Sequence, residues 1–303
     1  MLVLTCSSKL ATLRRLLTHN FPESLKVCGS LHHVINGNPF GLQVLVDQWP
    51  DFSSVICRPA LEDMKDPSDH YTNTYFLYSK DPHNLRQLLQ DPQVVNWRQN
   101  FQIHDCQPTL GGVLQEVSSK YGGQMHTISD FLYMRDGITD EDDDKINSIS
   151  DLHFSSLIPD EAHLVNAAWS FGGNSLSEQF IRRCIQTFPT MCMRKRGQGP
   201  PQAWVMTEQS CELCIGYTEK LYRGKGVFRT MIQRLTRKMD ALGAPLYCHV
   251  SGDNKRSQAA TVAAGFSIGN MCRPAVRRSK FSQYTSLRII FRPQKIKVAY
   301  EEQ

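Results

Sequence analysis

The sequence has no stretch approaching about 18 uninterrupted apolar residues, so no membrane-spanning helix is expected. No segment is ruled by proline, glycine or a repeated unit, which excludes a collagen, a long disordered chain and a simple repeat array. A disulfide framework is missing: the ten cysteines in 303 residues, at 6, 28, 57, 106, 184, 192, 211, 214, 248 and 272, are scattered without its spacing. Reduced thiols in an intracellular compartment are the corresponding reading. A Walker loop and a complete dinucleotide fingerprint are also missing. What remains is a soluble globular chain, 41% hydrophobic and 21% charged, long enough for two domains.

Charge is unevenly placed. Residues 1–150 carry 12 Lys/Arg against 18 Asp/Glu, and residues 151–303 carry 22 against 11, so a net −6 half precedes a net +11 half. Such a split points to an anionic ligand on the C-terminal half, a phosphorylated small molecule or nucleic acid, with a solvated basic surface as the plain alternative. The acidic run from Asp136 to Lys145 lacks apolar periodicity and reads as a linker, its spacing being wrong for a calcium loop.

Before the linker, residues 25–31, 42–46, 53–57 and 71–78 look extended and are separated by turn residues. Leu10, Leu13, Leu16 and Leu17 predict an initial helix, and Asp81-Pro82 opens another over 81–90. After the linker the spacing predicts a strand over 149–157 and helices over 159–169 and 175–188, the second capped by Ser175 with Glu178. Strands over 191–195, 203–207 and 211–218 follow, then a helix over 227–242, a strand over 245–250, a helix over 254–264 and a last strand over 285–291. The order βααβββαβαβ buries one strand–helix–strand crossover in an otherwise antiparallel meander.

The chemistry gathers where a strand runs through Arg223-Gly-Lys-Gly226 into a helix. Gly224 and Gly226 permit close backbone approach, the first amides of the helix point outward without partners, and the helix dipole favours an anion there. Arg223, Lys225 and Arg229 would add charge-assisted contacts to phosphate oxygens. Spacing alone equally suits glycines serving a tight turn.

Arg223-Gly-Lys-Gly226 after a strand, then Cys248-His-Val250, Asn254 and Ala264-Gly-Phe266, resembles the two acyl-CoA motifs of the GNAT acetyltransferase superfamily. Over nearly its whole length the chain resembles the glycine N-acyltransferase family. The resemblance is carried by Asn38-Pro-Phe40, Trp49-Pro-Asp-Phe52, His70-Tyr-Thr-Asn-Thr-Tyr75, Tyr78-Ser-Lys-Asp-Pro82, His163-Leu-Val-Asn166, Phe171-Gly-Gly-Asn174 and Cys184-Ile-Gln-Thr-Phe-Pro-Thr190. It implies an α+β fold of tandem GNAT-like domains, with mixed, mostly antiparallel sheets flanked by helices. The expected division is 1–145, without the CoA motif, and 146–303, which binds acyl-CoA and performs transfer.

The resemblance further implies a pantetheine arm between two splayed strands and a pyrophosphate at the glycine turn. Gly216, Tyr217, Thr218, Arg223, Gly224, Lys225, Gly226, Val227, Phe228, Arg229 and Asn254 are the candidate acyl-CoA-binding residues. Glu212 falls where relatives place a catalytic glutamate. A strand-held carboxylate suits removal of a proton from an amine that is mostly protonated at neutral pH, and strand alternation would put Glu212, Cys214 and Gly216 on one face. Backbone amides near Gly216 and Tyr217 would stabilise the oxyanion. The Tyr that many GNAT enzymes use as an acid is replaced by Thr261, and Leu221 replaces the usual Gln or Arg opening the glycine motif.

Other features point less far. Cys211 and Cys214 have metal or redox spacing, but an odd separation on a strand sends the thiols to opposite faces. His32, His33 and His249 read as strand residues, His249 near enough to line the cleft. The basic stretch from Arg273 to Lys297 lacks a nucleic-acid module and reads as a solvated final strand. The basic, leucine-striped first thirty residues suit either a mitochondrial transit peptide or a first helix. The expectation is an acyl-CoA:amino-acid N-acyltransferase with glycine as acceptor, monomeric and mitochondrial, with neither metal, nucleic acid nor membrane insertion. The acceptor would sit in a cleft between acidic and basic halves. Glutamine or another amino acid, a protein amine, a non-catalytic CoA-binding role, and a cytoplasmic or endoplasmic-reticulum setting are the alternatives.

Overall fold

The computed structural model describes residues 1–135, 152–195, 199–269 and 284–293. The expected linker over 136–145 lies outside them, as do Cys272 and the start of the basic stretch. The N-terminal half runs β1 (Leu2–Leu4), α1 (Ser7–Leu17), α2 (Leu25–Ile35), β2 (Leu42–Val46), β3 (Ser54–Pro59), β4 (Thr74–Ser79), α3 (Pro82–Leu89), β5 (Phe101–Cys106), α4 (Gly111–Lys120) and β6 (Gly123–Met134). The C-terminal half begins β7 (Leu152–Ser155), α5 (Ala162–Ala168), α6 (Ser175–Thr187), β8 (Thr190–Lys195), β9 (Ala203–Thr207) and β10 (Leu213–Thr218). It continues α7 (Val227–Ala241), β11 (Tyr247–Ser251), α8 (Lys255–Ala263), β12 (Ser267–Ile268) and β13 (Thr285–Pro293).

Two open sheets result. The larger has the order β1-β2-β3-β4-β5-β13-β6-β11, with β12 also on β6, and the smaller the order β10-β9-β8-β7. Among their pairings only β4–β5 is parallel. The C-terminal half thus supplies β11, β12 and β13 to the larger sheet, β13 entering between β5 and β6. Strand alternation explains how that sheet is covered twice: Val44, Val46, Val55, Cys57 and Phe76 face α1 and α2, while Leu45, Ile56, Tyr75 and Leu77 face α3 and α4. On the smaller sheet α7 buries Val227, Met231, Ile232, Leu235 and Met239, a stripe at helical spacing. No helix among the described residues is long and apolar enough to cross a membrane.

The helices expected near residues 10, 81, 175 and 227 all form. Asp81 caps α3 by accepting from His83 N–H at 2.9 Å. The cap of α6 lies one residue earlier than expected: Asn174 accepts from Ser177 N–H, and Ser177 Oγ receives Asn174 N–H in return. The stretch 25–31 is a correction of greater weight, since it is the first part of α2 and not a strand. Leu25, Cys28 and Leu31 recur at a helical period, with Val27 as the sole β-branched residue, and all four are buried. His32 and His33 are therefore helical as well.

Candidate active site

The edges of the two sheets, β10 and β11, lie side by side without a ladder between them among the described residues. Glu212, just ahead of β10, spans this divergence: its Oε1 accepts from the backbone N–H of His249 at 2.8 Å, a bond that a ladder partner would otherwise make. The same oxygen is 3.1 Å from His249 Nδ1. Its other oxygen contacts Nζ of Lys26, from the buried face of α2. That lysine is 3% exposed, with Nζ also 3.3 Å from Asp105 Oδ2, 3.6 Å from Glu208 Oε1 and 3.0 Å from His104 Nδ1. Lys26 thus lies among three carboxylates and a histidine.

Electrostatics inside this cluster are strong because water is excluded. Burial opposes the Lys26 charge, yet Glu212, Glu208 and Asp105 together hold its pKa above the ordinary lysine value. Burial alone would raise the Glu212 carboxyl, but Lys26 and then His249 hold it well below the usual range. Glu208 moves the other way, raised by burial against the pull of Lys26. Burial, then Arg288 and Lys26, depress His104 well below its usual value, which leaves its Nδ1 free to accept from the ammonium. His104, Asp105 and Glu212 offer donor atoms within 4.8 Å of one another, but the Lys26 ammonium contacts all three.

Backbone strain collects here. Of the four non-glycine residues with positive φ among those described, Asp105 (43°), Cys211 (66°) and Ile215 (49°) lie in or beside the cluster. Such residues cost about 1–3 kcal/mol each and persist where surrounding structure enforces them. At Ile215 the cause is a bulge: β10 pairs Cys214 with Met206 and Tyr217 with Trp204, leaving Ile215 and Gly216 without partners in β9. This corrects the expected alternation, since Cys214 and Ile215 both pack toward the α1/α2 core, and Glu212 precedes the strand. Cys211 and Cys214 still part, Cys211 entering the α7 core.

An inner cavity of about 320 Å³ is lined by Glu208, Glu212, His249, Asp130, Arg288, Trp169 and Phe171, with Thr261 at its wall. It shares Gly216, Phe228, Asn254 and Ser257 with an outer groove of about 790 Å³, so the two are continuous. Ten of the eleven residues expected to bind acyl-CoA line the groove: Gly216, Tyr217, Thr218, Arg223, Gly224, Gly226, Val227, Phe228, Arg229 and Asn254. Lys225 does not; its Nζ lies 5.8 Å from the Tyr222 ring centre. Gly224 (φ 72°) and Gly226 (φ 77°) are needed for their left-handed backbone, since space for a Cβ is open at both. At Gly216 the limit is space, as a Cβ would lie 2.5 Å from the Phe228 ring. Arg223 Nε donates to Thr218 O at 2.8 Å, tying the turn to the strand, and Thr218 Oγ1 is buried without a partner among the described residues. Asn254 Oδ1 accepts from Ser257 N–H at 3.1 Å, capping α8.

His249 lines the inner cavity, as its place beside the cleft suggested, whereas Lys26, Glu208 and Arg288 complete the cavity and its cluster without having been marked as site residues by sequence. Arg288 corrects the expected solvated final strand: β13 runs through the middle of the larger sheet, with Ile289 and Phe291 buried. A helical period over 25–35 is the signal that would have placed Lys26 beside buried leucines; only pairing between distant strands brings in Arg288.

Two family models match the chain, "Aralkyl acyl-CoA:amino acid N-acyltransferase" over residues 1–189 and its C-terminal region over 191–271. Glycine N-acyltransferase of Homo sapiens is 38% identical over 273 residues, covering 85% of this chain and 92% of the relative. Glycine N-phenylacetyltransferase of Bos taurus is 38% identical over 261 residues, covering 81% and 88%. Among solved structures, a Drosophila protein superposes with a TM-score of 0.73 at 14% identity, covering 96% of this chain and 98% of that one. A GCN5-related N-acetyltransferase from Kribbella flavida superposes with a TM-score of 0.51 at 11% identity, covering 93% and 95%. The architecture is a GNAT fold.

Proposed function

Because the chain belongs to the aralkyl acyl-CoA:amino acid N-acyltransferase family, we propose that it transfers an acyl group from acyl-CoA to the amino nitrogen of glycine. The observation that carries the site assignment is the continuity of the two compartments: a groove edged by Arg223 and Arg229 opens at Gly216 and Phe228 into a cavity holding Glu212 and His249. The phosphates of the cosubstrate belong at the glycine turn and the start of α7, where unpaired amides, the dipole and two guanidinium groups favour anions. Thr218, whose hydroxyl is buried without a partner among the described residues, lines the groove along which the pantetheine arm would run inward.

The base is a pair. His249 Nδ1 faces Glu212 Oε1 at 3.1 Å and Asp105 Oδ2 at 3.6 Å, so Nδ1 carries the proton and Nε2 is left as the acceptor. Glu212, bonded through both oxygens and held strongly ionised, is a weak direct base, but it fixes that tautomer and favours the imidazolium formed on proton transfer. The amine nitrogen attacks the thioester carbonyl carbon, its surplus proton passing to His249 Nε2. The tetrahedral oxyanion meets the amides of the bulged segment at Ile215 and Gly216, which have no partners in β9. Collapse breaks the C–S bond, and the thiolate takes up, through water, the proton held on His249, which returns the imidazole to its neutral form.

The test is thiol release from acetyl-, benzoyl-, phenylacetyl- and oleoyl-CoA, each with glycine, glutamine and a Lys peptide, with products identified by mass. Release that depends on glycine supports the reading; CoA binding without acceptor-dependent release replaces it by a binding role.

A further inference from the structure

Strand β13 alternates between two environments. Leu287, Ile289 and Phe291 pack with the α3/α4 core, while Arg288 and Ile290 face the inner cavity. An arginine in the middle of a nine-stranded sheet needs negative charge nearby, and Asp105, Glu212, Asp130 and Glu208 supply it, but among the described residues none of them hydrogen-bonds the guanidinium. Its Nη2 is 3.7 Å from Asp105 Oδ2, outside hydrogen-bond distance, and its Nε is buried without a hydrogen-bond partner among the described residues. Asp105 Oδ2 makes no hydrogen bond either, although the Lys26 ammonium lies 3.3 Å from it. A guanidinium presents five N–H donors in a fork that matches a carboxylate bidentately, so an orphaned, buried guanidinium at a cavity wall is shaped for a ligand carboxylate. The Phe171 ring, centred 5.7 Å from the guanidinium carbon, further limits its access to water.

We propose that Arg288 holds the α-carboxylate of the acceptor and thereby selects α-amino acids over simple amines. The inference rests on the amino-acid acylation reading and extends it to a residue outside the acyl-CoA motifs. Its geometry follows from one shared atom: Asp105 Oδ2, 3.7 Å from Arg288 Nη2, is also 3.6 Å from His249 Nδ1. The guanidinium and the imidazole ring that carries the base therefore neighbour one carboxylate and line one cavity, within the span of an acceptor whose amine is one carbon from its carboxylate. Glu208, Glu212 and Asp130, also on the cavity wall, supply the negative field that draws in the ammonium end of a zwitterion.

The experiment compares glycine with glycinamide, which keeps the primary amine and loses the carboxylate, as acceptors for the full-length protein. Wild type, Arg288→Lys and Arg288→Gln are assayed, with acyl-CoA affinity and thermal unfolding measured on each. The wild type is expected to favour glycine in kcat/KM by about 10²-fold or more, and Arg288→Gln to erase most of that preference through the glycine KM. Arg288→Lys, with the charge but not the fork, should fall between. Equal use of both acceptors by the wild type overturns the inference whether or not the variants fold. An equal loss on both acceptors in a folded Arg288→Gln also overturns it, making the arginine a structural counterion. Absence of wild-type turnover with glycine, glycinamide and every other acceptor in the panel overturns the acylation reading itself, and this inference with it.

Discussion

Lys26 and Glu212, 186 residues apart in the chain, meet as a buried ion pair that joins α2 of the N-terminal half to the head of β10. Both are at most 3% exposed, so each charge depends on the other and on Asp105 and Glu208 nearby. Replacing Lys26 by Met leaves these carboxylates without their shared cation. The expected loss is about 3–5 kcal/mol of unfolding free energy, read from urea titration. The double variant Lys26→Met/Glu212→Gln should recover part of it, because the second change removes one of the stranded charges; strictly additive losses would show that the pair is not coupled.

The cluster also fixes how stability should depend on pH. His104, and His33 at about 4, hold pKa values below the ordinary histidine value, so their contribution is present above about pH 6.5 and fades as the unfolded chain takes up protons. Glu212 and Asp105, also depressed, add a second loss that begins below about pH 4.5. Lys26 is raised, so its contribution is complete below about pH 10.4 and declines above it. Glu208, raised by burial, opposes the carboxylates. Burial raises the thiols of Cys28, Cys106 and Cys211, so their contribution fades as the unfolded chain loses those protons, and urea midpoints should form a plateau from about pH 7 to 8.5, with the acid decline starting near 6.5. A plateau extending unchanged to pH 5 would contradict the histidine assignment.

Gly29 is what lets α2 approach closely enough for Lys26 to reach Glu212. A Cβ at Gly29 would lie 1.8 Å from the carbonyl oxygen of Ser210, a backbone atom that cannot swing aside. Ser210 is itself held by Tyr247, whose hydroxyl donates to that carbonyl at 2.7 Å. Gly29→Ala should therefore cost about 1–3 kcal/mol or more, lowering the melting temperature, and should reduce turnover by displacing Lys26. Wild-type stability in this variant would mean that the helix contact yields freely.

The groove was legible in the sequence because its residues are contiguous: a strand, two glycines and a helix with a clear apolar stripe fix their own local geometry. The cluster was not, because its members come from α2, β5, β13 and the start of β10, and each looks ordinary alone. Lys26 sat in a seven-residue stretch where Gly29 and Ser30 blurred the helical period. Arg288 belonged to a basic stretch whose strand could be read, but whose insertion between β5 and β6 is a long-range pairing that no local pattern specifies. The bulge at Ile215 likewise depends on register against β9, and it broke an alternation argument that would hold for a regular strand.

Gly224 offers a test confined to the groove. With φ at 72° and open space where a Cβ would lie, a valine there meets strain and not a clash. The expected cost is about 1–3 kcal/mol, relieved by reshaping the turn. Acyl-CoA dissociation constants measured by calorimetry should rise by about tenfold or more, since each 1.4 kcal/mol is a factor of ten. An unchanged constant would remove the turn from the binding surface.

Glu212 and His249 should behave as one unit, and that property separates the pair from a carboxylate acting alone. Glu212→Gln preserves the outline of the side chain but removes the charge that fixes the His249 tautomer; His249→Gln removes the acceptor nitrogen. Each is expected to lower kcat by about 10²–10⁴-fold at neutral pH, with partial recovery at high pH, where more of the amine is already free. Acyl-CoA affinity should stay near that of the wild type, because the groove residues are untouched. The double variant should be little worse than either single one, as groups that act together lose their function together. If His249→Gln retains near-normal turnover while Glu212→Gln does not, the carboxylate is the base; if the two losses multiply, they act on separate steps.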